Sequence, residues 1–174
     1  MTVIFPIVAP ADGEVITPEW VADVTEAVNN SAVAVPVVAP DGSVTDGTTT
    51  STSFTNTLTT TGIQGSTFVA PASGVVLIAA STSARNSNAG GFCLVDFEVR
   101  EGAVLGSGTL TRASSENTAA SHQSDSANQQ STCVVIPTPV TGLVAGTTYN
   151  ASITYRVTAN TGTFNRRKIS IVLT

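Results

Sequence analysis

Two stretches of this chain alternate apolar and polar residues without a break, and that period of two constrains the fold more than any other feature. In the first, Cys93, Val95, Phe97 and Val99 fall on one face and Asp96, Glu98 and Arg100 on the other. In the second, Tyr149, Ala151, Ile153, Tyr155 and Val157 face one way, and Asn150, Ser152, Thr154, Arg156 and Thr158 the other. Successive side chains leave opposite faces of a β-strand, so each stretch reads as a strand with an apolar inner face and a polar outer one. Further strands are expected at 66–69, at 75–83 (a continuous apolar run read as buried on both faces), at 103–112 as a hairpin partner after the Glu101-Gly102 turn, at 132–136 where Pro137 and Pro139 end it, and at 164–173 with Ile169, Ile171 and Leu173 inward. Residues 113–131 are small and polar without a period, which predicts a long exposed loop. About seven or eight strands with no βαβ alternation predict a mainly β fold, an antiparallel β-sandwich of jelly-roll or immunoglobulin/fibronectin-like Greek-key order.

Composition agrees. The chain has 174 residues, 41% of them hydrophobic but only 5% aromatic, and Ser and Thr make up about a quarter. Charged residues are 11%, less than half of the ~25% usual in soluble proteins. With seven Lys and Arg against twelve Asp and Glu, the net charge is −5, which leaves no basic surplus for neutralising phosphates and argues against a nucleic-acid binder. The start, MTVIFPIVAPADG, lacks a basic flank and is broken by Pro6 and Pro10, so it is expected neither to be a signal peptide nor to insert in a membrane.

The first 46 residues differ from the rest. Residues 1–16 read as an extended arm. Residues 17–30 are the one convincing helix: Thr17 caps it, Pro18 occupies its first turn and Glu19 complements its dipole. Trp20, Val21, Val24, Ala27 and Val28 recur at helical spacing, with Glu19, Asp23 and Glu26 opposite. A helix of ~12–14 residues is marginal alone in water, so its apolar face must be covered, either by the end of its own β-domain or by copies of itself or a larger assembly. Residues 31–62 read as a proline- and threonine-rich linker, with room for one edge strand near its end. The expected division is 1–46 as arm, helix and linker, and 47–174 as the β-sandwich. The interface residues this predicts are Ile4, Phe5, Ile7, Trp20, Val21, Val24 and Val28.

Little in the chain suggests catalysis. His122 is the lone histidine and stands among Ser121, Ser124 and Asp125 in the polar stretch, where flexible neighbours do not hold triad geometry. Asp96 and Glu98 have a spacing that glycoside hydrolysis could use, but no aromatic sugar platform adjoins them; they read as surface charges paired with Arg100 and neighbouring strands. Arg166, Arg167 and Lys168 lie in a strand and so alternate faces rather than forming one patch, with an ion pair to Asp96 or Glu98 as one use for them. Cys93 and Cys133 make no metal motif. They form a disulfide if adjacent strands carry them, and are otherwise buried thiols. No enzyme activity, cofactor or metal is expected.

One motif is more specific. Leu143, Gly146 and Tyr149 have the L-x-x-G-x-x-Y form of a tyrosine corner before a long strand, a structural device that pins a crossover between two sheets. Together with ITPEWVADVTEAVNN, STFVAPASGVVLIAAS, DFEVREGAVLGSGT and GTFNRRKISIVL, the stretch TPVTGLVAGTTYNASITYRV resembles the small β-rich virion proteins of actinobacteriophages, a minor-tail-protein-like or capsid-decoration-like family. The resemblance covers about half the chain. It implies a symmetric virion surface component, a minor tail or tail-tip protein, attached through its N-terminal segment and displaying a jelly roll or related sandwich, made in the host cytoplasm and carried on the particle. Implied partners are further copies of itself, with a trimer favoured, other phage structural proteins, and a host surface glycan. This chain is short and lacks the fibrous stretches often joined to such domains, which leaves capsid decoration or a head fibre as the alternative. A stand-alone carbohydrate-binding or adhesion module and a depolymerase are the competing classes.

Overall fold

The computed structural model describes residues 36–39 and 45–174. The two alternating stretches become neighbours, β5 (Phe92–Glu101) and β9 (Thr148–Val157), antiparallel with Val95 opposite Tyr155 and Phe97 opposite Ile153. β3 (Gly65–Val69) flanks β9 on its other side. The free edge of β5 is shared by two short strands, β6 (Thr109–Arg112) at one end and β7 (Ala120–Gln123) at the other. These five strands form sheet B. Sheet A has the order β1 (Pro36–Ala39), β10 (Gly162–Leu173), β4 (Val76–Asn86) and β8 (Gln130–Val140), with β2 (Gly47–Thr49) on the far end of the β10 edge.

From β3 onward the chain changes sheet at every connection except the two inside the β5, β6, β7 run. That alternation decides between the two expected orders. In an immunoglobulin-type sandwich the strand after the tyrosine corner and the next strand share a sheet. Here β9 and β10 lie in opposite sheets, and the fold is a jelly roll. The corner itself is present: Tyr149 is buried, its ring stacks on Phe68 with centroids 5.9 Å apart, and its hydroxyl accepts the Val144 N–H at 3.1 Å.

The inner faces meet in one core, in which Ile78, Phe97, Ile153, Phe164, Ile169 and Ile171 are fully enclosed. Burying each such side chain contributes roughly 1.5–3 kcal/mol. The rings of Tyr155 and Phe164 meet across the two sheets at 4.9 Å.

Several local expectations are corrected. Apolar β4 is enclosed on one face only; Val76, Ile78 and Ala80 point inward while Leu77 and Ala79 on the outer face stay half-exposed. β8 does not stop at its prolines. It is an edge strand, with no partner needed on its free side, so Pro137 and Pro139 are tolerated next to a register shift. Only the last four residues of 103–112 pair with β5; residues 102–108 instead fold over sheet B. Gly108 is required there, since a Cβ would lie 1.8 Å from the Glu101 carbonyl oxygen and its φ is +98°. Residues 113–131 are not one open loop, because β7 lies within them. β1 lies within the expected linker and pairs with β10 from Pro36 opposite Val172 to Ala39 opposite Ile169. The compact unit accordingly runs Val35–Thr174.

Candidate interaction surface

The polar outer face of sheet B is sealed. Asp96 is fully buried and accepts from three donors: Arg112 Nη2 at 3.1 and 3.3 Å to its two oxygens, the Ser115 N–H at 2.8 Å and the Thr118 hydroxyl at 2.8 Å. Arg112 also donates to the Phe97 carbonyl. Glu98, also buried, accepts from Asn56 Nδ2 at 2.7 Å, Arg100 at 3.0 Å on each oxygen, and the Ser152 hydroxyl at 3.2 Å. The Asn150 amide takes hold of the 102–108 loop, donating to the Gly102 and Ser107 carbonyls and accepting the Gly106 N–H. Segments 50–64, 102–108 and 113–119 thus roof the face through side-chain bonds. Asp96 and Glu98 are therefore not surface charges, as their alternation suggested. Their partners are Arg112 and Arg100, not the Arg166–Lys168 run. Buried carboxylates survive only when donors replace water, and these are fully engaged.

Of the other singled-out residues, His122 and Ser124 come within 3.4 Å of each other, both against the Gln129 carbonyl. His122 lies on β7, half-buried, its Nε2 2.9 Å from the Gln129 carbonyl, a contact that puts the proton on Nε2. The Ser124 hydroxyl binds the same carbonyl and accepts the Asn86 N–H, so it is tied to backbone on both sides. Cys93 and Cys133 are free buried thiols. The disulfide reading required adjacent strands, whereas β5 and β8 lie in opposite sheets. Burial pushes the Cys93 thiol up to about 12, with the nearby Cys133 adding and the Asn86 side chain opposing, and pushes Cys133 up to about 11. The Arg166–Lys168 run is broken by a β-bulge: Arg166 has φ +50°, the register shifts between Asn165 and Lys168, and Arg167 takes the inward phase. Arg167 is buried and donates to the Thr61 hydroxyl at 2.7 Å. Ile4, Phe5, Ile7, Trp20, Val21, Val24 and Val28 lie outside the described residues.

What remains open is the outer face of sheet A. Cross-strand partners share a face in an antiparallel pair. Val134 is opposite Ser81, Pro139 and Val172 are both opposite Leu77, and Ser170 is opposite Ala79. With Lys168 opposite Ser81, these side chains form a largely apolar surface on which no described residue packs as a further layer. It is widest at β8, where Val134 is 55% and Ile136 74% exposed. Beside them a groove of about 300 Å³ runs between β8 and residues 117–120 just before and at the start of β7. A contiguous apolar surface of this kind on a soluble domain marks a contact site. The sequence offered no signal for it, because an apolar run such as 75–83 reads the same whether its second face is covered by its own chain or by something else.

Among the described residues no group of three or more His, Cys, Asp or Glu side chains could hold a metal ion, and no helix is long and apolar enough to cross a membrane. No family model and no curated protein matches the chain. Among solved structures, a chain of infectious bursal disease virus, Gt strain, is similar over 82% of this chain and 32% of its own, with 11% identity and a TM-score of 0.43. A chain of the Gx strain is similar over 79% and 39%, with 10% identity and a TM-score of 0.38. The chain thus spans well under half the length of either.

Proposed function

We propose that this chain is a bacteriophage virion structural protein, a surface component attached through its N-terminal segment and displaying the jelly roll, with a minor tail or tail-tip place preferred to capsid decoration or a head fibre. The observation that carries this reading is the contrast between the two outer faces. The face that carries the acid pair Asp96 and Glu98 is closed over by the chain's own loops, and the open face is largely apolar, with Lys168 as its exposed charge. Such a surface suits permanent packing and offers little to a substrate. The resemblance of the quoted segments to actinobacteriophage virion proteins supplies the class of assembly.

In this reading the chain is not an enzyme and needs no cofactor. Asp96 and Glu98, the best acid pair, hold loops down. The carbohydrate-binding reading is weaker, because sugar platforms use exposed aromatic rings. Tyr149 and Tyr155 are enclosed, and the large hydrophobic side chains exposed among the described residues are all aliphatic.

The test is direct. Particles purified from a lysate of the phage that encodes this chain should contain it by mass spectrometry, at a fixed ratio to the major structural protein. Gold-labelled antibody should mark the tail or its tip. Label on the head would move the protein to the decoration alternative, and absence from particles would overturn the virion reading.

A further inference from the structure

Charge is divided unevenly along the chain. Residues 1–44 hold six of the twelve carboxylates and none of the seven bases; residues 45–174 hold the other six acids and every base. Among the latter, Asp46, Asp96, Glu98 and Glu116 are each paired with an arginine, Arg85, Arg112, Arg100 and Arg156 respectively. The bases outside those pairs are Arg166, Arg167 and Lys168. Arg167 is turned inward, but Arg166 and Lys168 are exposed. They stand on β10 between its pairing with β2, which ends at Phe164, and its pairing with β1, which begins at Ile169. Lys168 is opposite Ser81 and so projects from the open face of sheet A, near Ala79, Val134 and Val172. That face therefore combines an apolar floor with the positive charge of Arg166 and Lys168, while Asp46 close by is already held by Arg85 and Asn165.

A complementary pattern exists in the sequence itself. Residues 17–30 place Trp20, Val21, Val24 and Val28 on one side at helical spacing, Glu19, Asp23 and Glu26 on the other, and no base anywhere. A helix of that length is about 21 Å long, close to the roughly 19 Å breadth of four strands about 4.8 Å apart. The chain also leaves the described unit at Pro36, on the edge of this same sheet. We propose that residues 17–30 of one copy dock on the outer face of sheet A of a second copy, the Trp20 side against Leu77, Val134 and Val172, with Asp23, which at helical spacing flanks that side, toward Lys168 and Arg166. The proposal rests on the reading above that the N-terminal segment is the assembly element, and it names the surface that receives that segment.

The chain contains one lysine, Lys168, which makes the contact chemically addressable. Full-length protein labelled with nitrogen-15 and unlabelled protein are co-refolded and treated with a carbodiimide, which joins an amine directly to a touching carboxylate. The expected product from an equal mixture is Lys168 coupled to Asp23, with mixed-label pairs as abundant as the two same-label pairs together. Same-label coupling alone, coupling only to acids of 45–174, or no coupling at Lys168 overturns the proposal. In parallel, full-length Arg166→Glu/Lys168→Glu should dissociate at concentrations about tenfold higher than wild type by light scattering, with its melting temperature retained. Adding Asp23→Lys to it should restore assembly. Assembly unchanged in the first variant also overturns the proposal. The two readings fail separately: a chain present in particles without the mixed-label product sinks the docking proposal alone, and the mixed-label product from a chain absent from particles sinks the virion reading alone.

Discussion

Asp96 shows how one residue can be misread from spacing and yet govern the domain. Alternation placed it outward, and outward it points, but loop 113–119 arrives over it with Arg112, Ser115 and Thr118 as donors. Removing one member of a buried ion pair typically costs about 3–5 kcal/mol, because the partner is left charged and dry. Asp96→Ala should therefore lower the unfolding free energy read from urea titration by that order, and Asp96→Ala/Arg112→Met should recover part of the loss; equal losses in both would mean that the pair is not the organising contact. The two thiols give a second test at this scale. The native state holds Cys93 to about 12 and Cys133 to about 11, against an ordinary value of 9.0. From about pH 9 the unfolded chain sheds thiol protons that the native state keeps, so stability falls as pH rises toward 11. Cys93→Ala/Cys133→Ala should flatten that part of the denaturation midpoint against pH. Below pH 9 native protein should leave Ellman's reagent uncoloured, while denatured protein should release two equivalents of chromophore.

At the level of strands, the long and strongly alternating ones were legible, and the short ones were not. β5 and β9 announce themselves because one face is apolar over ten residues each. β1, β2 and β7 have three or four residues each, too few for a period to show, and they form because a longer strand offers them a free edge. Nor could alternation show that Asn150, Ser152 and Thr154 are buried, since a polar face reads as outward whatever roof later covers it. The prolines of β8 misled in the opposite direction: they were read as a stop, and they act as a guard. An edge strand presents unpaired N–H groups to any passing strand, and proline removes them. Pro137→Val/Pro139→Val should keep the fold, since β8 already pairs with β4 through this region, but should raise the rate of aggregation at high concentration. Light scattering over time checks this, and an unchanged rate would mean that the edge is covered in some other way.

For the molecule as a whole, the open face of sheet A and the point at which the chain joins that sheet belong together. The boundary expected from sequence, at residue 47, would cut off β1, whose four residues pair with the β10 edge from Ile169 to Val172. That edge backs two core residues, Ile169 and Ile171. A chain beginning at Val35 should therefore retain the full thermal stability of the domain, whereas one beginning at Gly47 leaves the edge bare. With a net contribution near 1 kcal/mol per hydrogen bond, loss of this short ladder should cost about 2–4 kcal/mol. The longer truncation should melt several degrees lower and aggregate through the exposed β10 edge. If the segment before residue 35 serves assembly and not folding, the two truncations separate the functions: the chain from Val35 should be a stable monomer, and the chain from Gly47 a less stable one. Calorimetry with light scattering on both decides it. A chain from Val35 that stayed assembled would place the contacts between copies within the jelly roll, and equal melting temperatures would mean that β1 adds nothing to sheet A.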